Sequence, residues 1–127
     1  MAIALPPYAA LLGLSTERGA EGVVLRMPFA TPVLGRPGFL HGGAIAGLLE
    51  MAGLAALYDA LDDEEPPKVK PINVSVDFLR GGRDHDTLAI ARITRLGSRV
   101  ANVSAEAWQE DRAKPIAVAR MNMLLDR

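Results

Sequence analysis

The order of hydrophobic and polar residues predicts strands in five segments of the chain. In residues 22–27, Val23, Leu25 and Met27 share one face, and in residues 72–78 apolar side chains again alternate with polar ones. This period of two is typical of a strand with one buried face. Three further strand-like segments follow at 87–96, 99–110 and 115–125, separated by short turns. Their spacing predicts antiparallel hairpins in a meander.

Residues 42–60 predict a long helix made almost entirely of small and aliphatic side chains. Its only charged residue before Asp59 is Glu50. A helix that is apolar all round is expected to be buried on every side. A membrane span would need about 20 predominantly apolar residues in succession, and Glu50 divides this run into shorter pieces. We therefore interpret the segment as the core helix of a globular protein.

The remaining segments predict short or irregular structure. Pro6 and Pro7 precede a short helix over residues 8–13, which packs on the core or covers it. Residues 29–40 are rich in proline and glycine and predict a defined loop, while the acidic run at 62–65 with the prolines after it predicts a solvated turn.

The order of elements predicts one α+β domain over residues 1–127. An antiparallel sheet of five to six strands would wrap around the central helix. A sheet of this size cannot cover both its own faces and the helix within one chain. We therefore expect a homodimer or a dimer of dimers.

Composition excludes several classes of chemistry. The 14 basic and 15 acidic residues give no strong field for nucleic acid or a membrane surface, and there is no cysteine and only two histidines, His41 and His85. Disulfides, thiolate sites and zinc chemistry are therefore disfavoured. The first 15 residues lack a basic start, so we expect no signal peptide and a cytoplasmic protein. Eight basic and five acidic residues lie between positions 80 and 120, which places an anionic ligand near the second half.

One motif carries candidate chemistry. The segment from Gly38 to Glu50, with His41-Gly42-Gly43 at its centre, resembles the G-x-x-H-G-G-x6-D/E motif of small hotdog thioesterases of the phenylacetyl-CoA and 4-hydroxybenzoyl-CoA types. The resemblance extends over nearly the whole chain. It implies the hotdog fold, hydrolysis of an acyl- or aryl-CoA, active sites at a dimer interface, and no cofactor apart from the CoA of the substrate.

The spacing of the motif has a physical reason. Gly42 and Gly43 lie in the first turn of the helix, where N–H groups lack partners within the helix and the dipole is positive. Such a group stabilises a tetrahedral oxyanion, and the resemblance assigns this role to the N–H of Gly42. It also implies a mainly architectural role for His41. Glu50 lies eight residues further on, about 12 Å along the axis, so the two groups can act on one thioester only from different subunits.

Glu50 is the candidate nucleophile or general base, and the sequence leaves both roles open. The structural alternative is a buried carboxylate that is paired with an arginine.

Two positions depart from the family pattern. Gly35 stands where several members carry Asn or Gln, and Leu54 stands where some carry Thr or Ser. Activity could then be weak, could depend on Thr31 or a residue of the partner subunit, or could be lost in a non-catalytic acyl-CoA-binding dimer. A hotdog dehydratase would need a histidine about where Arg36 stands, which argues against dehydration.

Binding of the CoA phosphates requires cations and N–H groups near the cleft. The candidate substrate-binding residues, including the loop position discussed above, are Gly35, Arg80, Gly82, Arg83, Gly97, Ser98 and Arg99. Phe78 and Trp108 are interpreted as packing residues.

Overall fold

The computed structural model describes residues 3–61, 65 and 67–127. Its helices are α1 (Pro7–Leu11) and α2 (Gly42–Leu61), with a short 3-10 turn at Thr31–Val33; its strands are β1 (Ser15–Gly19), β2 (Gly22–Met27), β3 (Lys68–Phe78), β4 (Thr87–Leu96), β5 (Val100–Trp108) and β6 (Ala117–Asp126). The predicted acidic turn falls mostly outside the described residues.

All six strands form one antiparallel sheet in the order β1-β2-β4-β5-β6-β3. The predicted meander is confirmed for β4, β5 and β6, whereas β3 pairs with β6 and forms an outer edge of the sheet. The connection over residues 79–86 therefore crosses the sheet from the end of β3 to the start of β4. It runs past the beginning of α2, because the N–H of Leu40 donates to the carbonyl of Gly82 over 2.9 Å.

Helix α2 lies against the inner face of the sheet and provides much of the core. Leu48, Leu49 and Leu57 are fully buried, as are the inward-facing alanines and methionines of β5 and β6. By length and composition α2 could cross a membrane, but 61% of its most apolar window is buried within the protein. The α+β hotdog architecture is thus confirmed.

Within one chain, burial is less complete than the sequence pattern predicts, and one strand was not predicted. The sheet of one chain covers only part of the helix. Ile72 and Phe78 are 56% and 55% exposed, since β3 is an edge strand and has a register shift between Pro71 and Asn73. Strand β1 was not predicted, because all of its residues are exposed and it carries no alternation of apolar side chains.

Candidate active site

The first turn of α2 has one N–H group without a partner. The Nδ1 atom of His41 accepts a hydrogen bond from the N–H of Gly43 over 2.8 Å, and the carbonyl of His41 accepts from Ala44 and Ile45. The N–H of Gly42 makes no hydrogen bond within the described part of the chain. It is therefore the donor that the first turn offers to a ligand.

His41 acts as the N-terminal cap of this helix. Its ring lies so close to Gly43 that a Cβ atom there would be 2.9 Å from Nδ1, which explains the glycine. The ring thus bonds the backbone of the helix start as an acceptor. The cap leaves Nδ1 unprotonated and satisfies one of the two glycine N–H groups.

The loop before α2 leaves little room for a side chain at Gly35. A Cβ atom there would be 3.1 Å from the Cα atom of His41 and 3.3 Å from the carbonyl oxygen of Leu40. The N–H of Gly35 donates to the carbonyl of Phe39 over 3.0 Å. In this tight turn an Asn or Gln at position 35 would need the neighbouring backbone to shift.

Glu50 is partly exposed and has no partner. Its carboxylate makes no hydrogen bond or ion pair with the described residues. No buried side-chain oxygen or nitrogen in that part of the chain is left unpaired, so the oxygens of Glu50 reach the surface. The predicted structural alternative, pairing with an arginine, is not observed within the chain.

Glu50 ends an accessible stripe along α2 that is otherwise made of very small residues. Gly43, Ala46 and Gly47 retain exposure, whereas Ala44, Ile45, Leu48 and Leu49 on the other sides are buried. Positions three, four and seven residues apart share one face of a helix. The stripe thus forms a flat surface that leads from the helix start to the carboxylate.

Two aromatic side chains border this stripe, and the sequence interpretation missed both. A Cβ atom on Gly42 would be 3.4 Å from the ring of Phe78, and one on Gly47 would be 2.6 Å from the ring of Tyr8. Phe78 is thus 55% exposed beside the stripe, whereas Trp108 is 8% exposed and its ring contacts the guanidinium of Arg112 at 4.9 Å. An exposed ring in an edge strand leaves little signal in the sequence, because alternation predicts it to be buried.

The loops beside the helix start carry unpaired positive charge. The guanidinium groups of Arg36 and Arg83 lie 4.0 Å and 4.4 Å from the centre of the Phe39 ring. Cation–π contacts of this kind hold arginines in place while leaving their N–H groups free. Arg83 also lines a cavity of about 290 Å³ together with Arg80 and Lys114.

The predicted phosphate-binding residues do not lie together in one chain. Arg80 and Arg83 lie at the end of the sheet where α2 begins, while Gly97, Ser98 and Arg99 form the turn between β4 and β5 at the opposite end. Ten residues of β4 separate the two groups, which is about 30 Å. Gly82 is buried, and a Cβ atom on it would be 2.6 Å from the Leu40 side chain.

A second carboxylate of α2 has a different environment. Asp59 accepts two hydrogen bonds from Arg18, the shorter over 2.6 Å, and this partner holds the pKa of Asp59 below its ordinary value of 3.8. A cavity of about 440 Å³ lies beside Ala56 and Asp59, on the side of α2 that faces away from Glu50.

Within the described residues no group of three His, Asp or Glu side chains is arranged to hold a metal.

Comparison with known proteins agrees with this geometry. Residues 37–116 match the thioesterase superfamily. A crystal structure of a protein from Chromobacterium violaceum is 38% identical, with a TM-score of 0.74 over 95% of this chain and 84% of that one. A substituted form of a Pseudomonas aeruginosa thioesterase is 26% identical, with a TM-score of 0.78 over 92% of this chain and 84% of the other.

A curated relative supports the same assignment. A provisionally named esterase of Halobacterium salinarum is 34% identical over 93 residues, which cover 70% of this chain and 61% of the relative. The match thus spans less than two thirds of that protein. The family match includes the helix start and Glu50. The chain therefore belongs to the thioesterase superfamily, and its sheet and central helix form the hotdog fold.

Proposed function

We propose that this protein hydrolyses acyl- or aryl-CoA thioesters to the free acid and CoA, at sites formed between two subunits. One observation carries the proposal: a single helix presents a free N–H group at Gly42 and an unpartnered carboxylate at Glu50. Neither group is engaged in holding the chain together. The N–H group suits the stabilisation of a negatively charged oxygen, and the carboxylate suits the role of base or nucleophile.

The N–H of Gly42 would stabilise the negative charge that develops on the thioester oxygen. It points out of the helix start, where the dipole adds positive potential, and the cap from His41 keeps this turn in place. The absence of a side chain lets the substrate carbonyl approach the backbone. A donor that is fixed before the reaction costs no reorganisation in the transition state.

Glu50 would supply either the base or the nucleophile. As a base it takes a proton from water while the water oxygen attacks the thioester carbon, after which the C–S bond breaks and the thiolate is protonated. As a nucleophile its oxygen displaces the thiolate, and water then hydrolyses the mixed anhydride. Both routes start from an ionised carboxylate and give the same products.

The distance between the two groups supports a site shared by two chains. Eight residues of helix separate them by about 12 Å, too far for one carbonyl to contact both. Strand β3 offers the surface for a second copy, since it is an outer strand of 11 residues and Ile72, Phe78 and Leu79 beside it are at least half exposed. Exposed edges of this length are normally covered.

The basic loops support CoA as the leaving group. Arg36, Arg80 and Arg83 have no acidic partner among the described residues, and they lie at the same end of the molecule as Gly42. Phosphates of CoA would bind there. We expect Arg83→Ala to raise KM for a CoA thioester about tenfold and to leave KM unchanged for an uncharged N-acetylcysteamine thioester.

The test follows free-thiol release from a panel of aliphatic and aryl CoA thioesters. We expect wild-type turnover, a loss of at least about a hundredfold in kcat for Glu50→Gln and Glu50→Ala, and near-normal kcat for Asp59→Asn, the matched change of the other carboxylate of α2. Turnover that survives both Glu50 substitutions would contradict the assignment.

The lack of a polar side chain at Gly35 favours a second candidate function, that of a non-catalytic dimer that binds acyl-CoA. Gly35 stands where several members of the resembling family carry a polar side chain, and the turn leaves little room for one. In that case the wild-type protein would bind CoA thioesters and release no thiol from any of them.

A further inference from the structure

We propose that Tyr8 is a catalytic residue of the same site, whose phenolic oxygen orients the attacking water beside Glu50. This inference rests on the proposed function. It assigns a role to helix α1, which otherwise only packs on the core.

Tyr8 lies directly on the accessible stripe of α2. A Cβ atom on Gly47 would be 2.6 Å from Cε2 of Tyr8 and 2.7 Å from its hydroxyl oxygen. The phenol therefore occupies the space that any larger residue at position 47 would fill. Its contact with the helix backbone is made by the polar end of the ring, and this fixes the position of the hydroxyl.

The hydroxyl of Tyr8 and the carboxylate of Glu50 lie over the same turn. Gly47 is three residues before Glu50, and residues at this spacing have Cβ positions about 5–6 Å apart. Long side chains in a helix lean toward its N-terminus, over the residues three and four positions earlier. The Glu50 side chain is therefore directed toward the side of Gly47 on which Tyr8 lies.

The hydroxyl is free to bind a reactant. Tyr8 is 40% exposed, and its side chain makes no hydrogen bond with the described residues, Glu50 included. The ring is nevertheless held in place, because Ala9 and Leu12 next to it are buried. A fixed and unsatisfied hydroxyl beside an unpartnered carboxylate provides two acceptors for the two protons of one water molecule.

Such a water molecule would be oriented for attack. One proton would bond to Glu50 and the other to the oxygen of Tyr8, so that a lone pair faces the thioester carbon. As the O–C bond forms, Glu50 takes the first proton as a general base; the C–S bond then breaks with its electrons on sulfur, and the thiolate takes up a proton. Tyr8 keeps its own proton throughout.

Tyr8 would thereby take the role of the polar side chains that are absent at positions 35 and 54. The backbone of His41 fills the space beside Gly35, and Leu54 is only 5% exposed in the core. Neither position provides a hydrogen-bonding side chain near Glu50. The tyrosine approaches the carboxylate from the N-terminal helix instead.

The first experiment compares Tyr8→Phe with Tyr58→Phe, the matched change at the other tyrosine of the chain, on the thioester that wild type hydrolyses best. We expect Tyr8→Phe to lower kcat about tenfold, as for one oriented hydrogen bond, with KM within about twofold and an unchanged thermal midpoint. Tyr58→Phe should retain wild-type kcat.

Unchanged kcat in Tyr8→Phe would overturn the inference, as would a change in KM alone, which indicates acyl binding. If Glu50→Gln still abolishes turnover in the same assay, the proposed function stands while the role of Tyr8 fails. Absence of wild-type turnover overturns both.

A double-mutant cycle tests the contact itself. Gly47→Ala should displace the phenol and lower kcat about as much as Tyr8→Ala does, and adding Gly47→Ala to Tyr8→Ala should cause no further loss. Independent, multiplicative losses would show that Gly47 acts without Tyr8 and would contradict the inference.

Discussion

The two halves of helix α2 each carry one carboxylate, and their environments differ in kind. In the C-terminal half, Asp59 is bonded to Arg18 over 2.6 Å and its pKa is lowered by that partner. In the N-terminal half, Glu50 has no partner among the described residues. The carboxylate that we propose to react with the substrate is thus the unpaired one, whereas Asp59 is bonded within the fold.

The two halves of α2 also differ in their glycine content. The N-terminal half is rich in glycine, including Gly42, Gly43 and Gly47, although glycine in a helix interior costs up to about 1 kcal/mol relative to alanine. In the C-terminal half, Leu54, Leu57 and Leu61 are buried. The glycines lower the helix propensity of the half that carries the proposed site, although that half also has buried side chains. We expect substitutions at its accessible positions to change activity, and truncation of the buried leucines to change stability.

The largest expected effect comes from removing the N–H of Gly42. Proline is tolerated at the first position of a helix, so Gly42→Pro deletes the donor without breaking α2. We expect kcat to fall by about 10²–10³ with little change in the thermal midpoint, measured by thiol release and circular dichroism.

Gly42→Ala is the matched control. Its Cβ atom would make an ordinary contact with Phe78 at 3.4 Å, and it keeps the N–H, so kcat should stay within a few-fold of wild type. Equal losses in both variants would attribute the effect to steric contact and not to the donor.

The second-largest effect is expected for a substitution in the C-terminal half of α2. Leu57 is 0% exposed, and truncating a buried leucine to alanine costs about 2–5 kcal/mol. We expect Leu57→Ala to lower the thermal midpoint by about 10 °C or more and to leave kcat per folded molecule unchanged. A strong loss of kcat at temperatures where the variant is folded would remove the distinction between the halves.

The smallest effect is expected for Asp59→Asn. Because the pKa of Asp59 is lowered in the folded protein, its charge stabilises the fold above the ordinary value of 3.8, and this contribution is lost as pH falls through the folded pKa. The variant should melt at most about 3 °C lower at neutral pH, since the pair is partly exposed.

The difference between wild type and Asp59→Asn should disappear in thermal melts at a pH below the lowered pKa of Asp59. A difference that persists at that pH would show that Asp59 acts through something other than its charge.

The sequence predicted the helix and most strands because their signals are local. Residues 42–60 and the alternation around Val23 and Leu25 correspond closely to α2 and β2. Strand β1 carries only exposed residues, so its pairing with β2 had no hydrophobic pattern to indicate it. The exposure of Phe78 could not be inferred either, because β3 lies at the sheet edge only through its pairing with β6.

The part of the candidate site whose residues are close together in the sequence could be predicted. The His41-Gly42-Gly43 start and Glu50 lie on one helix, and helical spacing relates them directly. The contact of Tyr8 with Gly47, and the position of Arg36 and Arg83 against Phe39, join segments that are distant along the chain. No periodicity encodes such contacts, since they depend on how the loops pack.

The central claim is that each active site combines Gly42 of one subunit with Glu50 of another, and subunit mixing tests it most directly. Gly42→Pro and Glu50→Gln homodimers should each be nearly inactive. A mixed dimer has one site with both changes and one with neither, so random reassortment by co-refolding should restore about a quarter of wild-type activity. If the mixture remains as inactive as its two components, although mass spectrometry detects the mixed dimer, the shared site is contradicted.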